Sequence, residues 1–269
     1  MEPQFVLALL VLGSFTGFAA GLLGIGGGML MVPFLTLLFT WRGYPIEHIV
    51  HMAIATSLAT ILFTSISSVR SHHKRGAVLW PVVWLLAPGI LLGSLVGAQI
   101  AGRLPTFWLS VVFATFVGFS AVQMLLDRKP KPTRQLPKGA GMFGAGGVIG
   151  LISSLVGAGG GFIAVPFMVW HNVKIHNAVA TSAALGFPIA AAGTVGYILA
   201  GHGETSLPAG TVGFVYLPAL VSIAVASVLT APLGARVAHS LDTRPLKRIF
   251  AILLFLLAGY MAYKGYKAY

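Results

Sequence analysis

The chain has 269 residues, of which 57% are apolar and only 8% are charged, and its mean hydropathy is +0.91. Soluble domains hold about half apolar and about a quarter charged residues, so this composition excludes a soluble globular protein. The absence of cysteine excludes disulfides, thiolate metal sites and cysteine nucleophiles. The excess of 17 Lys and Arg over 5 Asp and Glu is typical of cytoplasmic loops in a membrane protein. The sequence therefore predicts an all-α polytopic membrane protein.

Two uncharged stretches, 3–41 and 139–171, are longer than one membrane crossing requires. A bilayer core of about 30 Å takes roughly 20 residues of helix, whereas these stretches would form helices of about 58 and 50 Å. Each carries a glycine cluster near its middle, at 24–28 and 157–161. Each glycine weakens a helix by roughly 1 kcal/mol relative to alanine. Each stretch is therefore predicted to be two short helices joined by a glycine turn.

The two glycine clusters belong to an internal repeat. Residues 24–34 align with 157–167, since both read Gly-x-Gly-Gly-Gly followed by Val-Pro-Phe at the same spacing. Residues 51–57 align with 176–182, and both end in Ala-Thr-Ser. The same features recur in the same order. They predict two homologous membrane halves, 1–126 and 139–269, joined by a basic linker at 127–138.

The distribution of positive charge favours a hairpin at each glycine cluster. If every long stretch crossed the membrane once, the 17 Lys and Arg would divide 10 to 7 between the two faces. If each glycine-broken stretch returns to the face that it entered, they divide 13 to 4. The positive-inside rule therefore predicts two inverted repeats, each a glycine-broken helical hairpin followed by three transmembrane helices. It places the linker 127–138 in the cytoplasm and both termini outside.

The glycine turns are the predicted substrate site. Inverted repeats with interrupted helices are the architecture of secondary transporters, which bind their substrate near the membrane midplane. A helix N-terminus carries about half a positive charge, and glycine lets the backbone approach a ligand closely. Helices beginning near Met29 and Phe162 would attract an anion without a buried Lys or Arg, although close helix packing is an alternative reason for the glycines. The predicted binding glycines are Gly24, Gly26, Gly27, Gly28, Gly157, Gly159, Gly160 and Gly161.

Side chains that follow the turns are further candidates. Hydroxyls early in the next helix of each half can donate to an oxyanion, while bonding to the preceding turn of their own helix is the common alternative. The predicted hydroxyl contacts are Thr56, Ser57, Thr181 and Ser182. Histidines at a membrane boundary can sense pH or bind a ligand, and a hydrogen-bonded interfacial role competes with this interpretation. The additional candidates at that boundary are His51, His176 and Asn177.

The acidic residues restrict the kind of transport. All five carboxylates, at positions 2, 47, 127, 204 and 242, fall at a terminus or in a loop. None is placed mid-membrane to carry a coupling proton or bind a cation, which disfavours a cation pump or a carboxylate-relay antiporter. Metal-binding, dinucleotide and P-loop motifs are missing from the sequence. The sequence therefore predicts no enzyme, no catalytic residue, no cofactor and no metal, and leaves an anion carrier or facilitator.

The duplicated Gly-x-Gly-Gly-Gly…Val-Pro element, each followed by an Ala-Thr-Ser helix, resembles the TauE/SafE family of membrane permeases. The resemblance covers about residues 5–263. It implies movement of small sulfur oxyanions or organosulfonates, such as sulfite or sulfoacetate, across a bacterial inner membrane. The expected partners are a small anionic substrate and membrane lipid, without nucleic acid, and a homo-oligomer is left open. The alternatives are a passive anion channel and a non-transporting membrane scaffold subunit.

Overall fold

Helices make up nearly all of the chain that the structure describes. It is a computed structural model, and it describes residues 2–23, 27–126, 135–238 and 243–268. The helices of the first half are α1 (Pro3–Leu23), α2 (Gly28–Trp41), α3 (Ile49–Lys74), α4 (Trp80–Arg103) and α5 (Thr106–Leu126). Those of the second half are α6 (Ala140–Val156), α7 (Gly161–Trp170), α8 (Ile175–Ala200), α9 (Leu217–Ala238) and α10 (Thr243–Lys267).

Both long uncharged stretches are broken at their glycine clusters, as the sequence predicts. α1 ends at Leu23 and α2 begins at Gly28, while α6 ends at Val156 and α7 begins at Gly161. Seven helices in the described ranges are long and apolar enough to cross a membrane, and α2, α6 and α7 are shorter apolar helices. The prediction of an all-α, multi-pass membrane protein is confirmed.

A short β-hairpin between α8 and α9 is a local departure from the purely helical prediction. β1 (Thr211–Val212) pairs antiparallel with β2 (Val215–Tyr216). Gly213 begins the two-residue turn with a φ of 53°, and turns of this length need a positive φ at that position. Phe214 is buried, and β2 packs on α3. The hairpin thereby fixes where α9 starts.

The first helix of each broken pair packs on the other half of the chain. α1 packs on α9, and α6 packs on α4. A Cβ at Gly13 of α1 would lie only 2.7 Å from the carbonyl oxygen of Ile223, and a Cβ at Gly17 would lie 2.5 Å from the Cα of Ser227. Small residues four apart allow this backbone-to-backbone approach between membrane helices. The two halves are thus interlocked.

The contact between α6 and α4 repeats this arrangement. A Cβ at Gly146 would overlap the carbonyl oxygen of Leu86, and a Cβ at Gly150 would overlap that of Ile90. These glycines lie 133 residues after the pair on α1, the same offset that relates the two glycine clusters. Equivalent glycines therefore make equivalent contacts in the two halves, a feature that the sequence analysis did not identify.

The remaining helices complete the bundle. α3 packs on α8, and α5 packs on α10. The side chains of α3 are buried without interruption from Ile49 to Ile61. α3 and α8 are the helices that carry the two Ala-Thr-Ser sequences, so both sequences lie in the centre of the protein.

One end of the bundle gathers the start of α1, the end of α2 and the start of α9. Glu2 forms an ion pair of 2.7 Å with Arg42, which follows α2. In the same connection Tyr44 donates a hydrogen bond of 2.9 Å to the hydroxyl of Tyr216, which precedes α9. We call this region, formed by Glu2, residues 42–48 and Tyr216, the Glu2 end.

Two further helix ends belong to the Glu2 end. The hydroxyl of Thr106, at the start of α5, donates to the carbonyl oxygen of Glu47. A Cβ at Gly265, near the end of α10, would lie 2.8 Å from the Cβ of Ser110 in α5. α5 therefore begins where α10 ends.

The opposite end gathers the connection between α3 and α4 and the start of α8. Asn177 donates a hydrogen bond of 3.0 Å to the carbonyl oxygen of Ala77. We call this region, formed by Lys74, residues 75–79 and residues 175–177, the Lys74 end. α5 ends at the Lys74 end, because it starts at the opposite one. α6 begins at the Lys74 end as well, since Gly146 and Gly150 pack in chain order on Leu86 and Ile90 of α4, which starts there.

The interlocking glycines predict a specific loss of stability. We expect Gly150→Ala to lower the melting temperature by several degrees, because overpacking a close contact costs about 1–3 kcal/mol. Gly144→Ala on the same helix is the matched control, since a Cβ there would meet nothing within 4 Å. Thermal unfolding of both purified variants in detergent tests this. Equal melting temperatures would contradict the tight contact between α4 and α6.

Candidate functional site

The second-half turn, residues 157–161, ends α6 and starts α7. Gly157 and Gly160 have φ values of 70° and 76°, a left-handed conformation that favours glycine. The carbonyl oxygen of Ser153 accepts hydrogen bonds from the N–H groups of Gly157 and Ala158. Gly160 is the N-cap of α7, and no side chain caps this helix. The first N–H groups of α7 therefore have neither an intrahelical nor a side-chain acceptor.

The first-half turn has the same construction in the part that is described. Gly24 and Gly26, two of the predicted site residues, lie outside the described residues. Gly27 is the N-cap of α2 with a φ of 65°, and again no side chain caps the helix. The helix starts predicted near positions 29 and 162 are observed one residue earlier in each half.

The two turns lie against each other in the centre of the protein. A Cβ at Gly28 would overlap the carbonyl oxygen of Gly157 and would lie 3.0 Å from the Cα of Ala158. The hydroxyl of Ser57 in α3 donates a hydrogen bond of 2.9 Å to the same Gly157 carbonyl. Predicted site residues from both halves thus meet at one carbonyl group.

A narrow cleft lies between the starts of α2 and α7. Its lining residues are apolar, and it has room for about one water molecule. They are Ala19, Gly27, Met29, Leu30, Phe162, Phe250 and Leu254. Gly159 and Gly161 are buried in the second-half turn beside it. The starts of two uncapped helices therefore line one small, apolar cleft.

The predicted hydroxyls Thr56 and Thr181 join the two halves. Thr56 Oγ1 accepts a hydrogen bond of 3.1 Å from the backbone N–H of Tyr216, just before α9. Thr181 Oγ1 accepts one of 3.0 Å from the backbone N–H of Leu79, just before α4. Each bond ties the Ala-Thr-Ser helix of one half to the fourth helix of the other. Ser182, beside Thr181, is buried as well.

His51 is buried between α3 and the end of α4. Its Nε2 lies 3.1 Å from the carbonyl oxygen of Ala101 and 2.9 Å from that of Leu104. Because carbonyl oxygens only accept, Nε2 is the protonated nitrogen. The ring stacks on Phe214 at a centroid distance of 5.1 Å. His51 therefore caps the last turn of α4.

His176 and Asn177, the second-half residues that align with positions 51 and 52, lie in a different environment from His51. His176, which aligns with His51, is exposed. Asn177 holds the start of α8 to the connection before α4 through its bond to the Ala77 carbonyl. The structure thus places these three candidates at the two ends of the bundle, away from the glycine turns.

One hydroxyl beside the turns was not among the predicted contacts. Ser153 is 2% exposed, its Oγ has no hydrogen-bond partner, and it lies 3.3 Å from the position of a Cβ on Gly160. In the first half the residue 133 positions earlier is Ala20, whose Cβ lies 3.1 Å from the corresponding position on Gly27. The difference between the repeats at this position is the signal that could have identified Ser153.

Within the described ranges, no group of three His, Cys, Asp or Glu residues could hold a metal ion. Two adjacent histidines, His72 and His73, lie in the last turn of α3, where Trp80 Nε1 donates a hydrogen bond of 3.1 Å to Nδ1 of His73. The candidate site therefore consists of backbone amide groups and hydroxyls, which are suited to binding an anion.

Two broken helices that meet in the centre of a multi-pass helical protein are an arrangement typical of membrane transporters. The sequence comparisons agree with this class. The family model described as "Sulfite exporter TauE/SafE" matches residues 9–261, and the chain belongs to that family.

Relatives that match over nearly their whole length are also described as membrane transporters. A "Probable membrane transporter protein" of Haemophilus influenzae is 36% identical, over 94% of this chain and 97% of its own length. "Probable membrane transporter protein YunE" of Bacillus subtilis is 28% identical, over 97% of this chain and 98% of its own. "Probable membrane transporter protein MJ0441" of Methanocaldococcus jannaschii is 24% identical, over 97% of this chain and 98% of its own length. No solved structure matches the chain significantly.

The threonine bonds between the halves predict a change in stability. We expect Thr181→Val to lower the free energy of unfolding by about 1 kcal/mol, since the N–H of Leu79 loses its acceptor. Thr181→Ser keeps the hydroxyl and is the control. Thermal unfolding in detergent measures both variants. Unchanged stability of Thr181→Val together with weaker anion binding would assign the hydroxyl to a ligand instead.

Proposed function

We propose that the protein is a secondary transporter that moves small sulfur oxyanions or organosulfonates, such as sulfite or sulfoacetate, across a bacterial inner membrane. The observation that carries this proposal is the meeting of the α2 and α7 N-termini. Each is preceded by a left-handed glycine, neither is capped by a side chain, and both line the same cleft. The description of the matched family, a sulfite exporter, supports the same substrate class.

The charge of the site supports an anion of low charge. α2 and α7 contain no charged residue, so the positive potential comes from the backbone. Each helix N-terminus is equivalent to about half a positive charge, and two of them balance about one negative charge. A single sulfonate or sulfite group has several oxygens that can accept from the uncapped N–H groups. The balance favours a monoanion, such as a simple alkanesulfonate or hydrogensulfite, over a dianion such as sulfate.

We further propose that the two halves are inverted repeats. The ion pair between Glu2 and Arg42 supports a first hairpin that starts and finishes at the Glu2 end. The bond between Asn177 and Ala77 supports a second hairpin that starts and finishes at the Lys74 end. Two hairpins that open toward opposite ends are expected of inverted repeats. The Lys74 end, with its larger share of Lys and Arg, is then cytoplasmic.

Access to the site requires movement in this proposal. The cleft between α2 and α7 has room for only about one water molecule, so an oxyanion enters only when the starts of the two helices separate. Such a separation of two repeats around a central site is the movement that alternating access requires. A passive channel would instead need a continuous open path.

Binding and counterflow test the proposed function. We expect methanesulfonate and sulfite to raise the melting temperature of the purified protein with saturation, because a ligand that binds only the folded state stabilises it. Sodium sulfate and sodium chloride at matched ionic strength should raise it less. In liposomes, unlabelled sulfite inside should accelerate entry of labelled sulfite from outside. Flux without saturation or counterflow would indicate a channel. The absence of both stabilisation and flux would indicate a scaffold.

Single cysteines test the orientation, since the chain has no native cysteine. In intact cells, we expect Lys138→Cys to be shielded from an impermeant thiol reagent. His202→Cys and Tyr266→Cys should be labelled, and all three positions are exposed. Permeabilised cells provide the control, because all three cysteines should then react. Labelling of Lys138→Cys and Tyr266→Cys from the same side would contradict the inverted-repeat topology.

A further inference from the structure

We infer that Ser153 is a substrate-binding residue whose hydroxyl donates a hydrogen bond to an oxygen of the anion at the start of α7. The anion site is then one-sided, because the start of α2 lacks the equivalent donor. This inference rests on the proposed function, because it assigns a contact within the proposed site. It concerns a residue outside the repeated motif, so it does not follow from the glycine clusters themselves.

The position of Ser153 is the first step. Its carbonyl oxygen accepts the N–H groups of Gly157 and Ala158 and so holds the backbone of the turn. Its Oγ lies 3.3 Å from where a Cβ of Gly160 would stand. Gly160 is the N-cap of α7, so the hydroxyl lies beside the uncapped start of this helix.

The missing hydrogen bond of Ser153 is the second step. Serine and threonine in membrane helices usually donate to a carbonyl of the preceding turn. Thr16 donates in this way to Leu12 at 2.8 Å, and Ser154 donates to Leu151 at 2.9 Å. Ser153 lies on the same kind of helix, is almost fully buried, and makes no such bond. A buried hydroxyl without a partner reduces stability, so its presence here is explained by a ligand that accepts from it.

The comparison of the two halves is the third step. Ala20 occupies the position of Ser153 in the first half and offers only a methyl group to the Gly27 turn. Both turns have a left-handed N-cap glycine and an uncapped helix. Among the described residues, the buried hydroxyl beside the second turn has no partner, whereas that of Thr16 beside the first donates to Leu12. An oxyanion therefore has one more donor at α7 than at α2, and it is anchored to the second-half turn.

Two exchanged variants test this inference. Ser153→Ala gives the second half the residue of the first, and Ala20→Ser gives the first half the residue of the second. Affinity for sulfite and for methanesulfonate is measured by titration calorimetry on the full-length protein in detergent, with the melting temperature of each variant. We expect Ser153→Ala to bind both anions at least fivefold more weakly while its melting temperature stays equal or rises. Ala20→Ser should bind as the unsubstituted protein does.

The outcomes separate this inference from the proposed function. Unchanged affinity of Ser153→Ala would overturn this inference but not the proposed function. A fall in its melting temperature alongside the loss of binding would also overturn the inference, since Ser153 would then be structural. An equal loss of affinity in Ala20→Ser would overturn the one-sided site. Failure of the unsubstituted protein to bind either anion would overturn the proposed function, and the inference with it.

Discussion

Backbone amide and carbonyl groups cannot be left without partners in the interior of a membrane, and a helix that is broken there exposes several of both. At the second glycine turn, the fold supplies partners for several of them. The carbonyl oxygen of Ser153 accepts two N–H groups of the second turn, and the hydroxyl of Ser57 donates to the carbonyl of Gly157. The N–H groups at the start of α7 are neither capped nor part of the helix ladder. These same groups give the proposed site its attraction for anions.

The interlocked packing determines how such a site can open. The glycines of α1 and α6 bring each of these helices into backbone contact with the fourth helix of the other half. A Cβ is not accommodated in these contacts, so α1 with α9 and α6 with α4 are expected to move as units. α2 and α7 are attached to those units through glycines such as Gly27 and Gly160, whose positive φ angles place the change of direction at the turns. Opening of the cleft is therefore expected to bend the chain at the turns rather than within the helix pairs.

Much of this architecture could be predicted from the sequence, because it depends on local chemistry. A run of three consecutive glycines breaks the helix in each half, so the starts of α2 and α7 were predicted to within one residue. The partners of buried hydroxyls could not be predicted in this way. Thr56 and Thr181 bond to backbone groups 160 and 102 residues away, and those groups become neighbours only after the halves have interlocked. For the same reason the exposure of His176 and the burial of His51 could not be read from their matching positions in the repeat.

Differences between the repeats are more informative about ligand binding than the residues that both halves share. A residue present in both halves, such as Thr56 and its match Thr181, has a sufficient explanation in the interlocked fold, because each makes the same bond between the halves. A small asymmetric anion cannot contact both turns identically. The difference between Ser153 in one half and Ala20 in the other is not explained by packing, since the Ser153 hydroxyl has no hydrogen-bond partner among the described residues. Where a repeat supplies the scaffold twice, the contacts that select a substrate are expected at the positions where the two copies differ.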